Sequence, residues 1–228
     1  MDRFEGFPDT EGKFWKALTK NNERAWFQKH KEEFEEGWNK PMKLLLGEVR
    51  EKIDSAYDHA DLDDPKVFRI YRDVRFAKDK SPYKTNIGGL IPLKRTGKKI
   101  TDLPMALYFH VGAGEIFAAA GHYMMEPESL ARFRKAVAEE KTGKELEKIL
   151  KALAKKGFTV ESHDSYARVP KGFDANHPRA EHLRRKGLHV SFPEVPKKLL
   201  TTRELPKWLA KQCAVATDLV EWLVFATA

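Results

Sequence analysis

Two periods of hydrophobicity, held in separate blocks, limit this chain to few architectures. Met42, Leu45, Leu46, Val49 and Ile53 fall at i, i+3, i+4, i+7 and i+11, one stripe of an amphipathic helix. Around it, residues 11–60 read as helical. Phe14, Trp15 and Leu18 make a short apolar stripe, and Asn21-Asn22 interrupts it, either Asn being able to cap the next helix. Trp26, Phe27, His30 and Phe34 share a broad face, and Pro41 suits a first helical turn with Asn39 as a cap. The period then changes. Runs 66–76, 87–93, 105–111 and 115–123 read as strands, the last two flanking Gly112-Ala113-Gly114 as a hairpin. Helices return after Pro127 and at Thr142-Gly-Lys-Glu145, whose capping-box spacing precedes Leu146, Ile149, Leu150 and Leu153, with Gly157 as the stop. Short strands are expected at 158–161, 165–169 and 188–192, and a last helix after Thr201-Thr-Arg-Glu204.

Helices set apart from a run of turn-linked strands predict an α+β fold. The expected architecture is a mostly antiparallel sheet packed with N-terminal, middle and C-terminal helices. No repeat and no Gly/Ser- or Pro-rich linker divides the chain, so residues 1–228 read as a single domain. Its helical N-terminal portion is 1–65 and its basic α+β portion is 66–228.

The net charge of +8 is uneven: residues 1–65 hold 11 basic and 16 acidic side chains, so the rest carries +13. Such asymmetry favours an anionic partner or serves solubility. No apolar run approaches the ~18 residues of a membrane span, and Met1-Asp2-Arg3-Phe4-Glu5 lacks a signal-peptide pattern. A soluble, cytoplasmic protein without a membrane partner is the expectation. The single Cys213 excludes an internal disulfide and a Cys-rich zinc site.

The densest chemistry lies in Arg69–Asn86, where residues 69–84 hold six basic and two acidic side chains. If 68–76 is a strand, Phe68, Ile70, Arg72, Val74 and Phe76 share one face, with Arg72 at its centre. A buried guanidinium needs a carboxylate or an anion. Three outcomes stay open: an ion pair with Glu48, Glu115 or Asp73, an anion site, or a register that exposes Arg72. Around Ser81-Pro82, Lys78, Lys80 and Lys84 join the hydroxyls of Ser81, Tyr83 and Thr85. Gly88-Gly89 then allows close approach by a ligand or another backbone.

The candidate ligand-binding residues are therefore Arg69, Arg72, Asp73, Arg75, Lys80, Tyr83 and Lys84. Secondary candidates are Asn21, Asn22, Trp26, His110, Arg168 and Lys171. No metal site and no cofactor is expected, although Asp73 and Asp79 could bind Mg²⁺ beside a phosphate. In a hairpin with a three-residue loop, Val111 pairs with Glu115 and His110 lies opposite Ile116, which separates it from His122. No phosphate loop, dinucleotide fingerprint or nucleophile motif is found.

Several blocks resemble a known family: Leu18-Thr-Lys-Asn-Asn-Glu-Arg-Ala-Trp-Phe27, Phe68-Arg-Ile-Tyr-Arg-Asp-Val-Arg-Phe76, Lys78-Asp-Lys-Ser-Pro-Tyr-Lys-Thr85, Tyr108-Phe-His-Val111 and Gly121-His-Tyr123. Arg168-Val-Pro-Lys-Gly-Phe173 is a weaker echo, and Ala77 departs from the small hydroxyl residue of the pattern. The family is the uncharacterised domain of unknown function 2461. The resemblance implies one full-length domain and carries no activity. The expected function is binding of a phosphate- or carboxylate-bearing ligand through residues 69–86, with phosphoester chemistry as one use of that charge. The alternatives are a non-enzymatic nucleic-acid-binding module that adds the 168–186 basic zone, and an interaction domain with an internal salt-bridge network. A small anionic ligand is favoured over nucleic acid because Asp73 and Asp79 interrupt the cations.

Overall fold

The computed structural model describes residues 2–75, 78–94 and 103–227. Three short helices open the chain: α1 (Lys13–Lys20), α2 (Arg24–Lys29) and α3 (Lys31–Phe34). A wide π turn, Glu35–Asn39, runs on from α3 into α4 (Lys40–Ile53) without a break. Asn39 is therefore no cap; it has helical dihedrals and bonds Glu35. Pro41 lacks an N–H and crowds the carbonyl one turn back, and a wider turn just before it relieves both conflicts.

The sheet has six antiparallel strands in the order β1-β2-β3-β4-β6-β5. They are β1 (Lys66–Val67), β2 (Asn86–Pro92), β3 (Met105–Gly112), β4 (Ile116–His122), β5 (Thr159–Glu161) and β6 (Leu188–Ser191). Between β4 and β5 run α5 (Pro127–Ala138) and α6 (Glu140–Lys155). The short α7 (Ala180–Arg184) precedes β6, and α8 (Leu205–Thr227) ends the chain. The α+β reading holds: α4 and α8 pack together on one sheet face, and α5 and α6 pack on α8.

Strand alternation divides the residues cleanly. Ile87, Ile91, Leu107, Phe109, Val111, Ala118, Ala120 and Val190 are buried toward the helices. The adjacent glycines serve opposite faces. A Cβ on Gly89 would lie 2.5 Å from Leu46 Cδ1 of α4, and one on Gly88 would lie 2.8 Å from Tyr108 Oη.

Four further local expectations are corrected. The strand expected at 66–76 ends at Val67. Phe68 still donates to Gly88 O at 2.9 Å, but the chain then pairs with its own return limb. Tyr71 bridges Tyr83, Arg72 N donates to Pro82 O at 2.9 Å, and Lys84 N donates to Ile70 O at 2.8 Å. Local closure of this small hairpin competes with, and wins over, continued pairing to β2. Phe76 and Ala77 lie outside the described residues. The expected strand at 165–169 is reduced to a single bridge between Ser165 and Arg185. In the β3–β4 hairpin Val111 pairs with Ile116 and His110 with Phe117, one residue off the expected register. Gly114, at φ 96°, allows a two-residue turn closed by Gly112 N donating to Glu115 O at 2.9 Å. Finally, α6 begins at Glu140, so Thr142 is inside its first turn and caps nothing; its hydroxyl contacts Ala136 O and Glu139.

Candidate functional site

The sheet face away from α4 and α8 forms the floor of a cleft of about 480 Å³. Its apolar surfaces come from Leu90, Met105, Phe117 and Ala119, with Phe68, Leu103 and Met124 at the sides. Polar groups stand at opposite ends: Lys84 on the β2 side, and Glu161, His189 and Ser191 on the β5–β6 side. Tyr108 and Tyr123 complete the lining.

Lys84 leaves the small hairpin just before β2. Its ammonium lies 5.7 Å from the Phe68 ring centroid. Burial, then the nearby charge of Arg69, pushes its pKa down. Among the described residues no carboxylate pairs with it. Beside it, Tyr108 Oη is 3.1 Å from His110 Nδ1, and Glu115 Oε2 is 3.5 Å from His110 Nε2. The Phe117 ring stacks on the His110 ring at 4.6 Å. Burial lowers the His110 pKa more than Glu115 raises it, and burial pushes the Tyr108 hydroxyl up. At the far end Ser191 Oγ donates to Glu161 Oε2 at 2.8 Å, and His189 Nε2 is 3.5 Å from the same oxygen. Burial also lowers His189, whose Nδ1 is buried with no hydrogen-bond partner among the described residues.

Of the rest of the cationic block, Arg72, Arg75 and Lys80 are engaged with groups of the block itself. Arg72 does not sit at the centre of a buried apolar face. Its side chain is 30% exposed, pairs with Asp79 and lies 3.5 Å from Ser81 Oγ. Asp79 in turn accepts from the Ser81 hydroxyl and from Ser81 N at 2.9 Å, and these two bonds, then Arg72, hold its carboxyl well below the usual range. Arg75 forks onto Asp73 at 3.0 and 2.7 Å, which lowers the Asp73 pKa to about 2. Lys80 Nζ donates to Val74 O at 2.9 Å. Lys78 is exposed, as is Arg69. The two carboxylates considered for Mg²⁺, Asp73 and Asp79, are thus each turned toward an arginine.

Tyr83 is buried, with its ring stacked on Phe27 at 4.2 Å. Its backbone is clamped by Asn22, which donates through Nδ2 to Tyr83 O at 2.9 Å and accepts from Tyr83 N at 3.1 Å. Asn22 therefore fixes the loop that presents Lys84. Asn21 instead bonds Ala17 O at 3.0 Å at the end of α1. Trp26 stacks on His30 at 3.8 Å. Arg168 and Lys171 are exposed in the 162–178 segment and do not line the cleft.

Of the residues singled out from sequence, the fold brings Lys84 to the cleft and His110 beneath its edge. Tyr108, Phe117, Tyr123, Glu161 and His189 were missed. Tyr108 and His110 share a face by their spacing of two, which was a readable signal. The pairing of β6 with β4, which brings β5 and β6 alongside the hairpin, is long-range and left no local trace. The one deeply buried guanidinium among the described arginines is Arg179, 4% exposed, not Arg72. It donates to Val137 O at 2.7 Å and Ala138 O at 3.4 Å at the end of α5, and reaches Glu140 at 3.1 Å and Glu147 at 3.4 Å.

The profile of a family described as "Conserved hypothetical protein (DUF2461)" matches residues 12–222, nearly the whole chain. No curated protein matches the sequence.

Proposed function

We propose that this chain, which belongs to the conserved hypothetical family DUF2461, binds a compact organic anion, a phosphate or carboxylate, in the cleft on the open sheet face. One observation carries this reading: Lys84 is a partly desolvated ammonium at the end of an apolar cleft with no carboxylate beside it among the described residues. Removing a cation from water is costly unless an anion compensates. A bound phosphate or carboxylate would supply that anion, and its apolar body would cover Leu90, Met105, Phe117 and Ala119. The cleft's size falls within the ~300–1,000 Å³ usual for small-molecule sites. In this reading the Arg72–Asp79 and Arg75–Asp73 pairs brace the loop, and Asn22 positions it from the α1–α2 junction.

The test is calorimetric titration with inorganic phosphate and a panel of phosphorylated and carboxylated metabolites. The variants are Lys84→Met, which keeps the stem and removes the charge, and Arg75→Ala. The expected result is binding that Lys84→Met abolishes and Arg75→Ala leaves within about threefold, the scale of a surface ion pair. Binding that survives Lys84→Met and is lost in Arg75→Ala would move the site out of the cleft and onto the loop.

A further inference from the structure

The cleft is polar at two ends of opposite sign, and this restricts the ligand further. Lys84 stands beside β2 and Glu161 on β5, four strand positions away in the sheet. At about 4.8 Å per spacing the two strands are roughly 19 Å apart across the sheet. Along the strands the side chains lean to a common level, Lys84 Nζ toward Phe68, which bonds Gly88, and Glu161 Oε2 toward Ser191, which is level with Leu90 through Ala119 and Tyr108. A lone phosphate or carboxylate cannot touch both ends. The ground between them is unusually aromatic: Phe68, Tyr108, Phe117 and Tyr123 line it. Phe117 is 41% exposed and Tyr123 54% exposed, large apolar faces turned to solvent on one patch. Such faces suit a planar ring, since aromatic side chains stack bases without regard to sequence.

We infer that the ligand is a free nucleoside monophosphate whose base carries an exocyclic amine. The inference rests on the reading of the cleft as an anion site. The phosphate meets Lys84, the base lies over Phe117 or Tyr123, and the amine donates to Glu161. A carboxylate is the acceptor that fits such an amine, as in readout of a cytosine N4 group. Ser191 and His189 both approach Oε2 of Glu161 and so hold the carboxylate in place from the sheet. His189 Nδ1, buried with no hydrogen-bond partner among the described residues, is a further polar group at that end. A single unpaired lysine matches one phosphate better than a chain of three.

The experiment is isothermal titration with adenosine, cytidine, inosine and uridine monophosphates, ribose 5-phosphate and a short adenine oligonucleotide. Wild type is compared with Glu161→Ala, Ser191→Ala and Lys84→Met, each first shown to be folded by circular dichroism. Adenosine and cytidine monophosphates are expected to bind about tenfold tighter than their inosine and uridine counterparts, the scale of one charged hydrogen bond. Glu161→Ala is expected to bring that ratio close to one, and Lys84→Met to weaken all four. The oligonucleotide, with diester phosphates, is expected to bind more weakly than the mononucleotide. Ribose 5-phosphate binding as tightly as adenosine monophosphate, or a ratio unchanged in Glu161→Ala, would overturn the nucleotide assignment and leave the anion site standing. Tighter binding of the oligonucleotide would overturn the free-nucleotide source. Absence of binding by every anion would overturn both readings.

Discussion

At the scale of single residues, burial decides which charges matter. Arg179 is almost fully enclosed and donates to carbonyls at the end of α5, whereas Arg72 keeps 30% of its side chain exposed beside Asp79. Truncating Arg179 to Ala strands buried carbonyls and leaves a void, although Glu140 and Glu147 can return to water. We expect a loss of roughly 3 kcal/mol for Arg179→Ala and about 1 kcal/mol or less for Arg72→Ala. Urea unfolding of the two variants checks this, and equal midpoints would refute it. The histidines give a second test. Burial pushes His110, His182 and His189 down from their ordinary range. Above about pH 7 they are neutral in both states and contribute nothing to the pH dependence. As pH falls through about 6.5 the unfolded chain takes up protons that the folded chain resists, so stability falls. Melting temperature is expected to drop between about pH 7 and pH 5, and His110→Gln to flatten that slope whatever it does to the absolute value. An unchanged slope would show that His110 titrates normally.

At the scale of elements, two of the many contacts between helices and the sheet side of the molecule can be broken singly. The Asn22 amide pairs with both backbone groups of Tyr83, as a neighbouring strand would. Asn22→Ala removes two hydrogen bonds and is expected to cost about 2 kcal/mol. Hydrogen exchange at the Tyr83 amide is expected to accelerate more than at Leu107 in the sheet centre. Equal acceleration at both would mean global destabilisation rather than release of the loop. Gly89 is the second contact, since a methyl group there would meet Leu46 Cδ1 at 2.5 Å and Lys66 O at 2.9 Å. Gly89→Ala is expected to cost on the order of 1–3 kcal/mol by overpacking. Part of this is expected to return in the double variant with Leu46→Val; strictly additive effects would place the strain at Lys66 instead.

At the scale of the whole molecule, charge is segregated but interrupted. The net +13 of residues 66–228 is enough to attract a polyanion. Arg72, Arg75 and Lys186 are nonetheless paired with Asp79, Asp73 and Asp164, which break any continuous cationic track. Duplex DNA is therefore expected to bind nonspecifically and to weaken by on the order of tenfold or more between low and physiological salt, because phosphate contacts release counterions. Salt-resistant duplex binding would favour the nucleic-acid reading over the small-ligand one.

The sequence by itself determined the class of fold. Its 3.6-residue stripe at Met42–Ile53 and its short strand runs from 87 onward are local patterns with one stable solution, helices against an antiparallel sheet. It also located the cationic block, and it kept His110 apart from His122 although its hairpin register was one residue off, because a slip of one position is small against the distance between them along β4. It could not decide the end of the 66–76 run, where the Tyr71–Tyr83 bridge competes with β2 for the same backbone groups. Nor could it choose the partner of Arg72: Asp79 is seven residues away and reaches it only once the hairpin closes. The cleft lay furthest from view. Lys84 precedes β2, Tyr108 and Phe117 stand on β3 and β4, and Glu161 and His189 on β5 and β6. Only strand pairing across the sheet brings them together, and pairing between segments so far apart in the chain is a property of tertiary packing.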